Sequence, residues 1–471
     1  MFISKLNDIS RRAFLKRSRN LACAGAATSY GMGLIATGEA AAFENISGYK
    51  ALVCVFLDGG NDHANTLIPY DPINHAKYFN IRGNPVNGQR VAFDREELFQ
   101  NLLKPKHDQT LTDGIEYALS PWMPRMKALF DRGMLAPLLN VGTLEAPITR
   151  SQFENGSQPR PAFLFSHNDQ KATWMTSGSE GTRTGWGGRM ADLAQTRNTN
   201  QMFTAINATG NGLFVQGERT APFRVSDRGV TQFRGLQSGR LFGSSAASGV
   251  FDRLLRTPSA SVLESDYATM NAESIEYGAF VEDALGNNRA QTDFGSDNEL
   301  ASQLEIVARL IRSRDALSVQ RQVFFVSMRG FDTHTDLRDH SSLLGKVDFA
   351  LDAFFKEIST MGLANQVTTF TASDFGRTLS LNGLGSDHGW GGHHLVLGGA
   401  VDGGKFYGKA PKVSLDSHDQ VGRGRLLPST SVDEYSTTLA KWFGVSSSNL
   451  QMVQPNIGRF AKPDLGFMSA G

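Results

Sequence analysis

The sequence predicts an α/β fold: a mostly parallel central sheet flanked by helices, with an irregular insertion. Three observations carry it. First, short apolar runs recur and stop at Gly, Asp or Ser: "ALVCVFL" (51–57), "MLAPLLNVG" (134–142), "QVFFVSM" (322–328), "QVTTFTAS" (366–373) and "HHLVLGG" (393–399). Runs without polar alternation fit strands covered on both faces, as in parallel sheets. Second, Leu343, Leu344, Val347, Ala350, Leu351, Phe354, Phe355, Ile358 and Met361 recur at helical spacing between two of these runs. Third, hydrophobic residues make up 40% and charged residues 20% of the 471, which excludes a disordered chain.

Taken in order, the chain opens with "SRRAFLK" (10–16), a Gly/Ala-rich mildly apolar stretch and a small-residue site ending at Ala42. Paired arginines, a weak apolar region and an A-x-A site are the layout of a twin-arginine export signal over 1–42, with the twin-arginine translocase as partner and a periplasmic or extracellular destination. Its removal takes away six Lys/Arg and two acids and turns the formal charge from +1 to −3. Nothing in that charge points to nucleic acid. No apolar run is long enough for a membrane span. Cys23 leaves with the signal, so Cys54 stands alone and no internal disulfide is available.

The remainder, 43–471, reads as one α/β domain. Helix 343–361, with Ser341 or Ser342 as cap and Gly362 as stop, joins strands 322–328 and 366–373 in a βαβ unit, which predicts parallel neighbours. "NELASQLEIVARLIRS" (298–313) and "DEYSTTLAKWFGV" (433–445) predict two further amphipathic helices. Residues 205–295, rich in Ser, Gly, Arg and Gln, read as the insertion over the sheet.

Ligands of open parallel sheets bind beyond the carboxyl ends of the strands, and polar residues gather there. Strand 51–57 runs into Asp58, Asn61, Asp62 and His63. Strand 322–328 leads to Asp332, His334 and Asp336. Strand 366–373 leads to Asp374 and Arg377, and Asp387 and His388 precede strand 393–399. In "FLFSHNDQKATWMTSG" (163–178), Ser166 and His167 stand at a predicted helix start. There, free backbone N–H groups stabilise a developing anion, or the serine simply caps the helix. Clustered carboxylates and imidazoles favour a divalent cation, zinc or manganese. His393 and His394, on opposite faces of a strand, place at most one ring in the cleft.

"FLDGGNDHANTLIP", "FSHNDQKATW…TGWGGR", "GFDTHTD", "SDFGRT…NG…GSDHGW" and "GGKFYG" resemble the DUF1501 family of exported bacterial proteins, over nearly the whole chain after the signal. That family is placed near the alkaline phosphatase and sulfatase superfamily. The resemblance implies an alkaline-phosphatase-like fold and a metal-binding Asp58. It also implies a nucleophilic Ser166, a ligand pair Asp332 and His334, and an Asp-His element at either Asp374 or Asp387-His388. Phe375 stands where the first alternative would need histidine, so one ion or none is implied as readily as two.

The expectation is an exported metal-dependent hydrolase of phosphate or sulfate esters, small-molecule or glycan. Asp58, Asp332, His334, Asp374, Asp387 and His388 would hold metal. Ser166 would attack, with His167 as a further catalytic residue, and Arg377 would bind the ester oxyanion. The alternative is a non-catalytic periplasmic or surface binding protein on the same fold, in which the Phe-rich composition (31 Phe) and the 205–295 insertion carry the function.

Overall fold

The computed structural model describes residues 48–469 apart from 179–180, 211, 227–228, 231–235, 237–238 and 258–260. The predicted export signal lies outside the described residues. Among the described residues twelve strands form: β1 (Lys50–Asp58), β2 (Leu67–Pro69), β3 (Tyr117–Leu119), β4 (Leu135–Gly142), β5 (Ala205–Asn207), β6 (Phe223–Arg224), β7 (Arg321–Arg329), β8 (Val367–Ser373), β9 (Arg377–Leu381), β10 (Ser386–His388), β11 (Gly392–Leu397) and β12 (Thr430–Ser431). Eight build one sheet in the order β12-β4-β11-β8-β1-β7-β5-β6. The fold is α/β with a mostly parallel central sheet and flanking helices.

Period-two alternation in β1 divides the interior into two layers. Ala51, Val53, Val55 and Leu57 face the helices Glu299–Arg312 and Arg338–Thr360. Leu52, Cys54 and Phe56 face Trp174, Trp186 and the helix Val432–Phe443. With both faces covered, β1 has no solvated side, which is why its sequence shows no polar alternation. The helix Glu299–Arg312 starts where expected, with the Asn298 side chain accepting from Ala301 N. The helix Arg338–Thr360 starts earlier than Ser341, because the Asp336 side chain accepts from the Arg338 backbone N–H.

Three expectations are corrected. Strands β7 and β8 are parallel but not adjacent, because β1 lies between them and pairs with both. Strand β11, read as parallel, runs antiparallel to β4 and β8. Only the β9–β10 hairpin separates it from β8, and a parallel return requires a longer crossover. The 205–295 stretch is not wholly laid over the sheet, since β5 and β6 extend the sheet edge. Its later part holds the helices Ser245–Arg256 and Val262–Asn287.

At the start of the helix Val432–Phe443, the Ser431 side chain accepts from Glu434 N and Glu434 Oε2 accepts from Ser431 N, a reciprocal cap. Ser431→Ala is expected to lower stability by about 1 kcal/mol, measured as a shifted urea midpoint with unchanged slope.

Candidate metal centre

The site is built at the carboxyl ends of β1 and β7 and beside β10. Gly59, at φ +122°, turns the chain out of β1, and a Cβ there would lie 2.3 Å from the Asp332 backbone nitrogen. That close approach needs glycine. It lets the β1 exit pack on the β7 exit, where Phe331 N donates to Asp58 O at 3.1 Å and His334 N to Asp332 O at 3.1 Å. The tight turn projects Asp332 and His334 into one space. Helix His167–Thr176 brings its first residue to the same point, after Phe163 and Phe165 pass through left-handed backbone (φ 47° and 75°). His388, at the end of β10, completes the set.

Four donors therefore converge: His167, Asp332, His334 and His388. Asp332 Oδ1 lies 3.4 Å from His167 Nε2, 3.1 Å from His334 Nε2 and 3.5 Å from His388 Nε2. The His334 and His388 Nε2 atoms are 2.7 Å apart, and His167 Nε2 is buried with no hydrogen-bond partner. Four donors around one ion at about 2.0–2.1 Å would stand about 3.3 Å from one another in a tetrahedron. Of the six edges, the three to Asp332 Oδ1 bracket that length, and the His334–His388 edge is shorter. The donor set fits one divalent ion, and three imidazoles favour zinc over an oxygen-seeking ion.

Two of the other ring nitrogens, those of His167 and His388, are held from behind by hydrogen bonds, as is usual for metal-ligating histidines. His167 Nδ1 lies 2.6 Å from Asp374 Oδ2. His388 Nδ1 donates to the Phe165 carbonyl at 2.6 Å, and His334 Nδ1 lies 3.8 Å from Asp387 Oδ1. The hydrogen bond that His167 Nδ1 donates to the Asp374 carboxylate raises the basicity of the ring, against the effect of its burial. Burial, then the neighbouring His167, His334 and Arg377, hold His388 below the ordinary imidazole range. Burial pushes Asp332 up, but His167, His334 and Arg377 outweigh it and hold its carboxyl low.

A family model described as "Protein of unknown function (DUF1501)" matches residues 49–430. The chain belongs to the DUF1501 family. No curated protein matches it. Among solved structures, this DUF1501 chain is similar to Ps i-CgsB in complex with k-i-k-neocarrahexaose, at 10% identity and TM-score 0.38, covering 88% of this chain and 78% of that one. It is similar to the zinc complex of the C-terminal periplasmic domain of EcEptC from Escherichia coli, at 11% identity and TM-score 0.35, covering 88% and 90%. It is also similar to alkaline phosphatase from the Antarctic bacterium TAB5, at 9% identity and TM-score 0.26, covering 74% and 92%. At scores this low, none of these likenesses assigns an activity or a residue role to the DUF1501 chain.

Of the six residues expected to hold metal, the structure brings Asp332, His334 and His388 together and adds His167, expected as a catalytic group. Asp58, Asp374 and Asp387 stand outside the four. Asp58 is ion-paired with Lys171. Asp374 is fully buried, accepts from Gly59 N at 3.0 Å and supports His167. Asp387 faces solvent-side partners, Arg423 Nη1 at 2.5 Å and Asn382 Nδ2 at 2.6 Å. Arg377 is not at the surface where an ester would arrive: its guanidinium is buried and donates to Gly59 O, Ser386 O, Ser386 Oγ and Asp332 Oδ1. Ser166 is the N-cap of the helix, and its Oγ donates to Asp169 Oδ2 at 2.6 Å.

Asn61, Asp62 and His63 of the DUF1501 chain turn inward. Asn61 Oδ1 meets His340 Nε2 at 2.9 Å, and Asp62 makes a fully buried two-point ion pair with Arg82. His393 lies against His63 and Tyr117, and His394 against Trp174 and Tyr435, on opposite sides of β11. Lys171 was not anticipated. It stands one helical turn after His167, and that i, i+4 spacing is the signal that could have revealed it.

Proposed function

We propose that this DUF1501 protein is an exported, metal-dependent hydrolase of phosphate or sulfate esters, with one ion, zinc first, held by His167, Asp332, His334 and His388. The observation that carries the reading is the convergence of three imidazole Nε2 atoms on one carboxylate oxygen, with the rings of His167 and His388 each backed by a hydrogen bond. Such an ion supplies Lewis-acid polarisation of an ester oxygen. Asp374 fixes the ring of His167, and Lys171 balances the charges of Asp58 and Asp374, with Nζ 3.7 Å from Asp374 Oδ2. Arg377, 3.2 Å from Asp332 Oδ1, positions that carboxylate and does not meet the substrate. Ser166 is the attacking hydroxyl at the helix start, and Asp169 accepts its proton. The P–O or S–O bond to the ester's alcohol breaks as that alcohol leaves with a proton from water. A second water then releases phosphate or sulfate and restores the serine. The paired arginines and small-residue site of 1–42 support twin-arginine export to the periplasm or beyond. Among the described residues, no helix is long and apolar enough to cross a membrane.

The test pairs metal content with hydrolysis of aryl phosphate and aryl sulfate. Ser166→Ala is expected to keep one ion per chain and lose turnover. Asp374→Asn is expected to weaken metal affinity about 10–100-fold, measured by competition with a chelator of known affinity. Unchanged turnover in Ser166→Ala would remove the serine from the mechanism. A wild-type protein that takes up neither zinc nor manganese would remove the hydrolase. The second reading, a binding protein on this fold, draws on one observation: the Ser166 hydroxyl and the Arg377 guanidinium are both already engaged within the protein.

A further inference from the structure

A cleft of about 450 Å³ adjoins the centre on the Asp58 and Lys171 side. It lies at the carboxyl ends of β1 and β7, just past the end of β5, and against the helix His167–Thr176. Phe56, Phe325 and Leu213 contribute apolar surface to it, while Asn168, Thr209, Ser327 and Arg329 contribute polar groups. The charges along its walls are unequal. Lys171 is neutralised by Asp58. Arg329 stands opposite Asp58 in the β1–β7 register, yet it is exposed and forms no ion pair among the described residues. Thr209 Oγ1 and Ser327 Oγ, 2.9 Å apart, satisfy each other. The cleft thus reaches Asn168, the residue after His167, and its wall carries a forked cation with no ion-pair partner among the described residues.

We propose that this cleft holds the non-reacting part of the substrate and that Arg329 binds a second anionic group on it. The substrate class is then an ester carrying at least two anionic groups, one at the metal centre and one at Arg329, joined by a body that lies on the apolar surface. The proposal rests on the reading of the centre as an ester hydrolase. A planar guanidinium suits a sulfate, phosphate or carboxylate by two parallel hydrogen bonds. A hydrogen bond to a charged group contributes enough to change affinity by about tenfold or more. Arg329 is a specificity-determining residue in this account, and the neutral part of the ligand contributes only contact with the floor.

The experiment titrates the full-length, zinc-loaded protein with naphthalene-1-sulfonate and naphthalene-1,5-disulfonate by calorimetry. The two probes share a ring system and differ by one anionic group. Wild type is expected to bind the disulfonate about tenfold more tightly than the monosulfonate. Arg329→Gln should erase that preference with little change for the monosulfonate, and Arg329→Lys should restore part of it. Equal affinities in wild type, a preference that survives in Arg329→Gln, or no binding of either probe would each overturn the proposal. His388→Ala separates the two readings. If the Arg329-dependent preference persists in wild type and His388→Ala alike while neither protein takes up metal, the cleft stands as an anion site and the hydrolase falls.

Discussion

Replacing His388 with Ala is expected to abolish metal retention and, with it, about a thousandfold of ester hydrolysis, since loss of Lewis-acid stabilisation costs several kcal/mol in the transition state. The imidazole is placed by two constraints at once. Its Nδ1 is fixed on the Phe165 carbonyl, so Nε2 has no choice but to point at Asp332 and His334. Removing it leaves three donors and opens the side of the centre where β10 stands. Asp387→Asn, one residue away, is the control: it alters a carboxylate outside the four donors and 3.8 Å from His334 Nδ1, beyond hydrogen-bond reach, and should retain the ion. Elemental analysis of the two variants decides the matter, and His388→Ala protein holding a full equivalent of zinc would exclude this centre. Because the donors tie a helix start, the β7 exit and β10 together, the bound ion should also raise the melting temperature. A chelator should lower it again in wild type and leave His388→Ala unmoved.

Stability is expected to fall as the pH drops from 6.5 toward 4. His63, His340, His393 and His394 are 4%, 1%, 4% and 4% exposed. Burial holds His63 and His340 down at about 4 and His394 at about 3, and it pushes His393 well below the ordinary imidazole value. In the unfolded chain all four titrate near about 6.5. Between those values the unfolded state binds protons that the folded state refuses, so stability is present above pH 6.5 and is lost on acidification. Asp433, pushed up to about 7 by burial, takes a proton in the folded state over the same range and offsets one of the four. Asp348 and Glu434, which burial also raises, offset a further part, and the four histidines set the sign, stability falling with falling pH. Asp62 adds nothing in this window. Its carboxyl is held low by Arg82 in spite of burial, so its contribution is lost only further down, through its folded value. Urea midpoints of the metal-loaded protein at pH 7, 6 and 5 read the slope directly. A flat profile would mean that these histidines find protons, or water, inside the fold.

Much of this arrangement was legible in the sequence, for reasons that differ by element. The doubly covered strands declared themselves because the runs within β1 and β7 are short, apolar and without regular polar alternation, and the helices Glu299–Arg312 and Val432–Phe443 because each has an apolar stripe and a capping residue in place. The residues of the centre could be gathered from strand ends, since Asp332 and His334 follow β7 and Gly330 closely and His388 ends β10 just before Gly389. Their division of labour could not. Whether Asp374 touches an ion or stands behind His167 depends on a 2.6 Å contact across 207 positions, which no local pattern encodes. Arg377 looked like an anion binder because a lone arginine in a glycine-rich turn is usually exposed. Here it is buried by the hairpin it spans. The strand order escaped for a related reason: local helix-strand grammar fixes direction between β7 and β8, but leaves open whether a third strand enters between them.

That third strand has a consequence for how the chain is made. The first of the described strands to leave the ribosome is the one the sheet needs at its centre, and the strands it pairs with, Arg321–Arg329 and Val367–Ser373, are synthesised much later. Until then an apolar ribbon, "ALVCVFL", with two open edges waits in solution, the kind of segment that seeks strands of other chains. Pairings this distant in sequence close slowly. Assembly of the sheet is therefore a late, whole-chain event, and a chaperone that shields residues 50–58 during synthesis is expected to raise the yield of folded protein more than one acting on any later strand.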